Sequence, residues 1–125
     1  MDQILGAMTM RDLLLQCAGV GAIVVAIIHG ILGETKVFAR ATIEPERLRT
    51  LIRLVWQAST VAWIGCGVLL IAVPWMDSAV ARHWIVLTMI AVFGLSACAN
   101  AWATRGRHFG WMALSVVVAI AVAGY

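Results

Sequence analysis

Four stretches of the chain, residues 13–33, 54–76, 83–104 and 109–125, contain no Asp, Glu, Lys or Arg. A helix needs roughly 20 apolar residues, each rising 1.5 Å, to cross the hydrocarbon of a bilayer. The first three runs meet that length, and the fourth, at 17 residues, sits near its short limit. Trp56, Trp75, Trp84, Trp102, Trp111 and Tyr125 fall near the ends of these runs, where an amphipathic ring suits the headgroup region. Only Trp63 lies deeper. The pattern predicts an all-α polytopic membrane protein, a single domain over residues 1–125 with helices at about 13–33, 45–76, 83–104 and 109–125.

The connections order these helices. Ile43-Glu44-Pro45-Glu46-Arg47 reads as a helix start, because proline costs nothing in a first turn and acidic side chains there favour the helix dipole. The second helix is thus expected to begin near Pro45, below the membrane, with Leu48, Leu51, Ile52 and Val55 along one apolar face. Pro74 should end or kink it at the opposite surface. The other two links are short, as between antiparallel neighbours, and the expected architecture is an up-down-up-down four-helix bundle. The first run is longer than the apolar core of a signal peptide, and no A-x-A site follows it, so it is expected to be a retained helix.

Composition agrees and excludes the alternatives. The 125 residues are 63% hydrophobic and only 12% charged, whereas a soluble domain carries about 45–50% apolar and about 25% charged residues. A chain this short has too little interior to hide that surplus from water. Cys17, Cys66 and Cys98 lie inside apolar runs with no C-x-x-C or zinc-finger spacing, so they are expected to pack rather than to bridge.

Charge then orients the chain. Of the nine Lys and Arg residues, Lys36, Arg40, Arg47, Arg49 and Arg53 lie between the first two runs and Arg105 and Arg107 between the last two. Arg11 and Arg82 lie on the other side. Basic loops stay in the cytoplasm, so both termini are expected outside a bacterial inner membrane, with the seven basic side chains touching anionic lipid headgroups. No basic face stands free of a membrane segment, and nucleic acid is not an expected partner.

Small residues recur every fourth position on the first helix, at Ala18, Ala22, Ala26 and Gly30, and the third carries a similar ridge at Gly94, Cys98 and Ala101. Within lipid such ridges let helices approach closely and are expected to be packing seams, either within the chain or towards a second subunit.

Polar groups inside a bilayer are the informative exceptions. His29 and Glu34 on the first helix, Gln57 and Thr60 on the second, and Ser96 and Asn100 on the third fall at one depth near the basic loops. The far half is nearly bare of polar groups except Gln16 and Thr88. The cluster is expected either to knot the helices together by hydrogen bonds or to form an ion or small-solute site, with Glu34 and His29 as its titrating pair. His29 could also ligate haem or a chlorophyll-type pigment, although His83 lies at the opposite surface and His108 in the loop, leaving one axial ligand. Met8, Met10, Met76 and His83 share the outer side as conceivable copper ligands, without a recurring motif. No nucleophile elbow, H-E-x-x-H, phosphate loop or dinucleotide fingerprint is present, and no enzyme activity is expected.

The segments His29-Gly30-Ile31-Leu32-Gly33-Glu34, Trp56-Gln57-Ala58-Ser59 and Gly106-Arg107-His108-Phe109-Gly110-Trp111 resemble a group of small four-helix bacterial inner-membrane proteins of unknown function. The resemblance runs from the first helix to the C-terminus and implies the fold and the membrane, but no activity. Such proteins often carry histidine where this chain has Gln57, a departure that removes a second possible ligand. The small multidrug transporters have a carboxylate deep in their first helix, and the small fluoride channels a Gly-rich motif; this chain has neither. The expected role is that of a non-catalytic accessory or scaffold subunit, bound to a larger membrane complex or to copies of itself. A transporter or channel, and a haem- or pigment-binding subunit, are the alternatives.

Overall fold

The computed structural model describes residues 8–125, among which helices and turns are the only elements. Helix α1 spans Met10–Leu32 and runs directly into a π-helical turn, Gly33–Phe38. Helix α2 spans Glu46–Ala72 and closes with a 3-10 turn at Val73–Trp75; α3 spans Ala79–Thr104 and α4 Gly110–Gly124. Three of these segments, Met10–Phe38, Glu46–Trp75 and Ala79–Thr104, are long and apolar enough to cross a membrane, whereas α4 has 15 residues. The chain is a helical membrane protein.

Local chemistry places several helix ends away from the limits of the charge-free runs. Helix α1 begins three residues early because Thr9 and Asp12 form a capping box. The Thr9 hydroxyl accepts from the Asp12 N–H at 3.2 Å, and the Asp12 carboxylate accepts from the Thr9 N–H at 3.0 Å. Helix α3 likewise starts at Ala79, where the Ser78 hydroxyl accepts the Ala81 N–H. Arg82 therefore lies inside a helix, and its guanidinium meets the buried Asp12 carboxylate at 2.8 Å. The end of the bundle expected to be bare is tied from α1 to α3 by an ion pair. Pro45 stands one residue ahead of α2, as its N-cap. Helix α3 stops where Arg105 and Gly106 both turn left-handed, and the Gly106 N–H then reaches the Ala101 carbonyl.

Around the bundle the helices run α2, α1, α4, α3. Helix α1 packs along both α2 and α4, and α4 along α3, while α2 and α3 barely meet. Their main bridge is Trp63 against Phe93, edge to face with ring centroids 6.1 Å apart. The α1–α2 seam is close because Gly19 and Gly67 face each other: a Cβ on either would run into the other's carbonyl oxygen. Ala18, Ala22 and Ala26 are fully buried, so the small ridge of α1 is used up within the chain. The ridge of α3 is not: Cys98 is exposed, and a Cβ at Gly94 would have no neighbour within 4 Å. Phe93, Leu70, Leu114 and Val73 are the largest fully buried side chains and fill the centre.

Candidate functional site

The polar residues at the basic-loop end divide into two groups rather than one layer. In the first, Glu34 in the π-helical turn binds Arg53 of α2 at 2.7 Å, and Gln57 Nε2 donates to Glu34 Oε1 at 2.8 Å and to the Gly30 carbonyl at 3.2 Å. This group closes the α1–α2 seam at its charged end, where Arg53 is more than half exposed. Thr60 and Ser96 belong to neither group. Their hydroxyls donate back to the Trp56 and Val92 carbonyls, four residues earlier in their own helices, and make no bond between helices.

The second group is built on His29. Its imidazole lies flat against the Trp56 indole, 4.2 Å between centroids and 7° between planes, and Trp63 covers it at 4.6 Å and 35°. The Trp56 N–H donates to the His29 carbonyl at 3.0 Å. That indole occupies the space where any side chain at Gly33 would stand, so glycine there is what lets Trp56 reach α1. His29 Nε2 meets the Ser59 hydroxyl at 3.3 Å.

His29, Trp56 and Trp63 form one wall of a cavity of about 80 Å³ at the basic-loop end of the bundle. Asn100 of α3 lines it, and so does His108, whose ring turns into the bundle instead of lying out in the loop. The reason is local: His108 Nδ1 accepts the Gly110 N–H, the first of α4, at 3.0 Å. With a side chain at Gly110, its Cβ would crowd that ring. Val25, Leu32 and Leu114 make the remaining walls apolar, and Ile28, Val37 and Phe109 are the lining residues with exposed surface. No Asp, Glu, Lys or Arg lines the cavity. The side-chain oxygen of Asn100, Oδ1, is buried with no hydrogen-bond donor among the described residues.

Sequence reasoning missed Trp56, Trp63, Ser59 and His108 as partners of His29. The signal was present for the two indoles, which follow one another at i and i+7 on α2 and so share a helix face. None was present for His108, whose direction depends on a turn.

The basic side chains gather at this same end. Arg49 donates to the Phe38 carbonyl at 2.6 Å and holds the α1–α2 connection to α2, whereas Lys36, Arg40, Arg47, Arg105 and Arg107 are exposed. At the opposite end His83 is engaged by the Tyr125 hydroxyl and the edge of Trp84. Among the described residues no three His, Cys, Asp or Glu side chains stand close enough to share a metal ion. Comparison with protein-family models, with curated proteins and with solved structures finds no match to this chain.

Proposed function

We propose that the protein is a non-catalytic accessory or scaffold subunit of a bacterial inner membrane, which joins a larger membrane assembly or further copies of itself through the flank of α3. The observation that carries this reading is the unequal use of small residues. In α1 they are buried within the bundle, whereas Gly94 and Cys98 of α3 lie uncovered beside the sparse α2–α3 contact. Glycine in a helix interior costs about 1 kcal/mol relative to alanine, so one that packs against nothing is an expense without a return inside the chain. In lipid, where apolar surface alone does not drive helices together, such a flank is what a second helix packs on.

The seven-to-two distribution of basic residues supports four crossings with both termini outside. In that arrangement α4, about 22 Å long at 1.5 Å per residue, crosses with Phe109 and Tyr125 at its ends. The exposed arginines of the basic loops then meet anionic headgroups.

Cross-linking tests the reading. A variant with Cys98 as its only cysteine, treated in native membranes with a short bifunctional maleimide, should give a discrete product in fixed stoichiometry. A variant that keeps only the equally exposed Cys17 of α1 should not. A protein that stays uncross-linked at Cys98 and elutes from mild detergent as a solitary monomer would overturn it.

A further inference from the structure

The cavity beside His29 goes beyond that reading and does not depend on it. Its hydrogen bonds fix which polar groups remain unused. The Ser59 hydroxyl gives its one hydrogen to the Trp56 carbonyl at 2.7 Å, so it can only accept from His29 Nε2. Neutral His29 therefore keeps its lone pair on Nδ1, which has no partner among the described residues. His108 is the reverse case. Its Nδ1 accepts the Gly110 N–H, so its hydrogen sits on Nε2, a donor without an acceptor. With its lone pair already engaged, His108 is not a metal ligand in this arrangement, because a metal needs a free imidazole lone pair. Trp63, also in the lining, makes no hydrogen bond through its N–H among the described residues, and Asn100 Oδ1 is buried without a donor.

The chamber thus offers both donors and acceptors, with no formal charge on its walls. Buried polar groups of native proteins are almost always paired, and Asn100 Oδ1, buried beside the unpartnered N–H groups of His108 and Trp63, lacks a donor that the described residues do not supply. That partner must both donate and accept, and an ion would find no countercharge. A cavity of about 80 Å³ is smaller than the roughly 150 Å³ that admits benzene, so it takes a head group rather than a whole ring. The exposed lining residues are Ile28, Val37 and Phe109, which gives the opening an apolar rim suited to a molecule that arrives from lipid.

We propose that this cavity binds the hydroxyl head of an uncharged, membrane-soluble phenol or alcohol. The hydroxyl donates to Asn100 or His29 and accepts from His108 or Trp63, and the apolar body leaves between Ile28, Val37 and Phe109.

The test uses the full chain in lipid nanodiscs, with empty nanodiscs subtracting simple partition. By equilibrium dialysis, 4-hexylphenol should bind saturably at one per chain and at least ten-fold more tightly than 4-hexylanisole, which has lost the donor hydrogen. Asn100→Leu, which loses the acceptor of the hydroxyl hydrogen, should reduce that preference below three-fold, whereas His108→Phe should weaken the binding of both ligands at least three-fold, because both carry an oxygen that accepts. His108 lies outside the helices, so His108→Phe decides the matter if Asn100→Leu does not fold. Absence of saturable binding, a smaller preference in the parent chain, a preference that survives Asn100→Leu in a folded variant, or an affinity unchanged by His108→Phe would overturn the assignment. None of these results bears on cross-linking at Cys98.

Discussion

Helix α2 takes part in two seams that differ in kind. Towards α1 it offers Gly67 to Gly19, the Trp56 N–H to the His29 carbonyl, and Gln57 and Arg53 to Glu34. Towards α3 it offers little beyond Trp63 on the edge of Phe93. Yet α1, α2 and α3 are all long and apolar enough to cross a membrane. Apolar content therefore does not decide which helices associate. In lipid the drive comes from close backbone approach and interhelical hydrogen bonds, and towards α2 the first helix has both, whereas α3 has neither.

That contrast can be broken most forcefully at Gly19. Gly19→Val sets a branched side chain against the Gly67 carbonyl and Ile71. It should cost about 3 kcal/mol, the upper range for overpacking, read as a lower midpoint of unfolding by SDS in mixed micelles. Gly65→Val, in α2 and with nothing near its Cβ, should shift that midpoint far less; equal losses would mean that the seam is not close. Trp63→Leu removes the aromatic bridge between α2 and α3 together with the cover over His29, and the two pairs should cost about 2 kcal/mol in the same measurement. A loss as large as that of Gly19→Val would show that the second seam carries more than one contact. The smallest effect is expected from Glu34→Gln, which discards the exposed ion pair with Arg53 while leaving an oxygen for Gln57. It should move the midpoint the least of these variants, since solvent screens an exposed pair, and added salt should diminish the difference.

The helices themselves were legible from the spacing of charged residues, and their ends less so. The run-based limits of α1 and α3 miss Arg11, Asp12 and Arg82 because a charge inside a helix was read as its boundary. The caps at Thr9 and Ser78 and the pairing of Arg82 with Asp12 are what allow those charges in. The candidate site was legible in height but not in direction. The spacing puts His29, Gln57 and Asn100 at one depth, yet Gln57 serves the α1–α2 seam with Glu34 while His29 and Asn100 line a common chamber. Depth follows from counting residues at 1.5 Å each. The direction a residue faces within the bundle depends on which helices neighbour which, and no spacing along one helix contains that.

The sequence by itself determined the solvent of this protein and the secondary structure that follows from it. Backbone groups in hydrocarbon must satisfy one another, so long apolar runs become helices whatever surrounds them. Only the tertiary structure decided that α1 would lie between α2 and α4, that its alanines would be spent internally while Gly94 stays uncovered, and that His108 would share a cavity with His29. These outcomes rest on contacts between segments far apart in the chain, chosen by shape and by hydrogen-bond partners rather than by hydrophobicity, which nearly every face of these helices has in common.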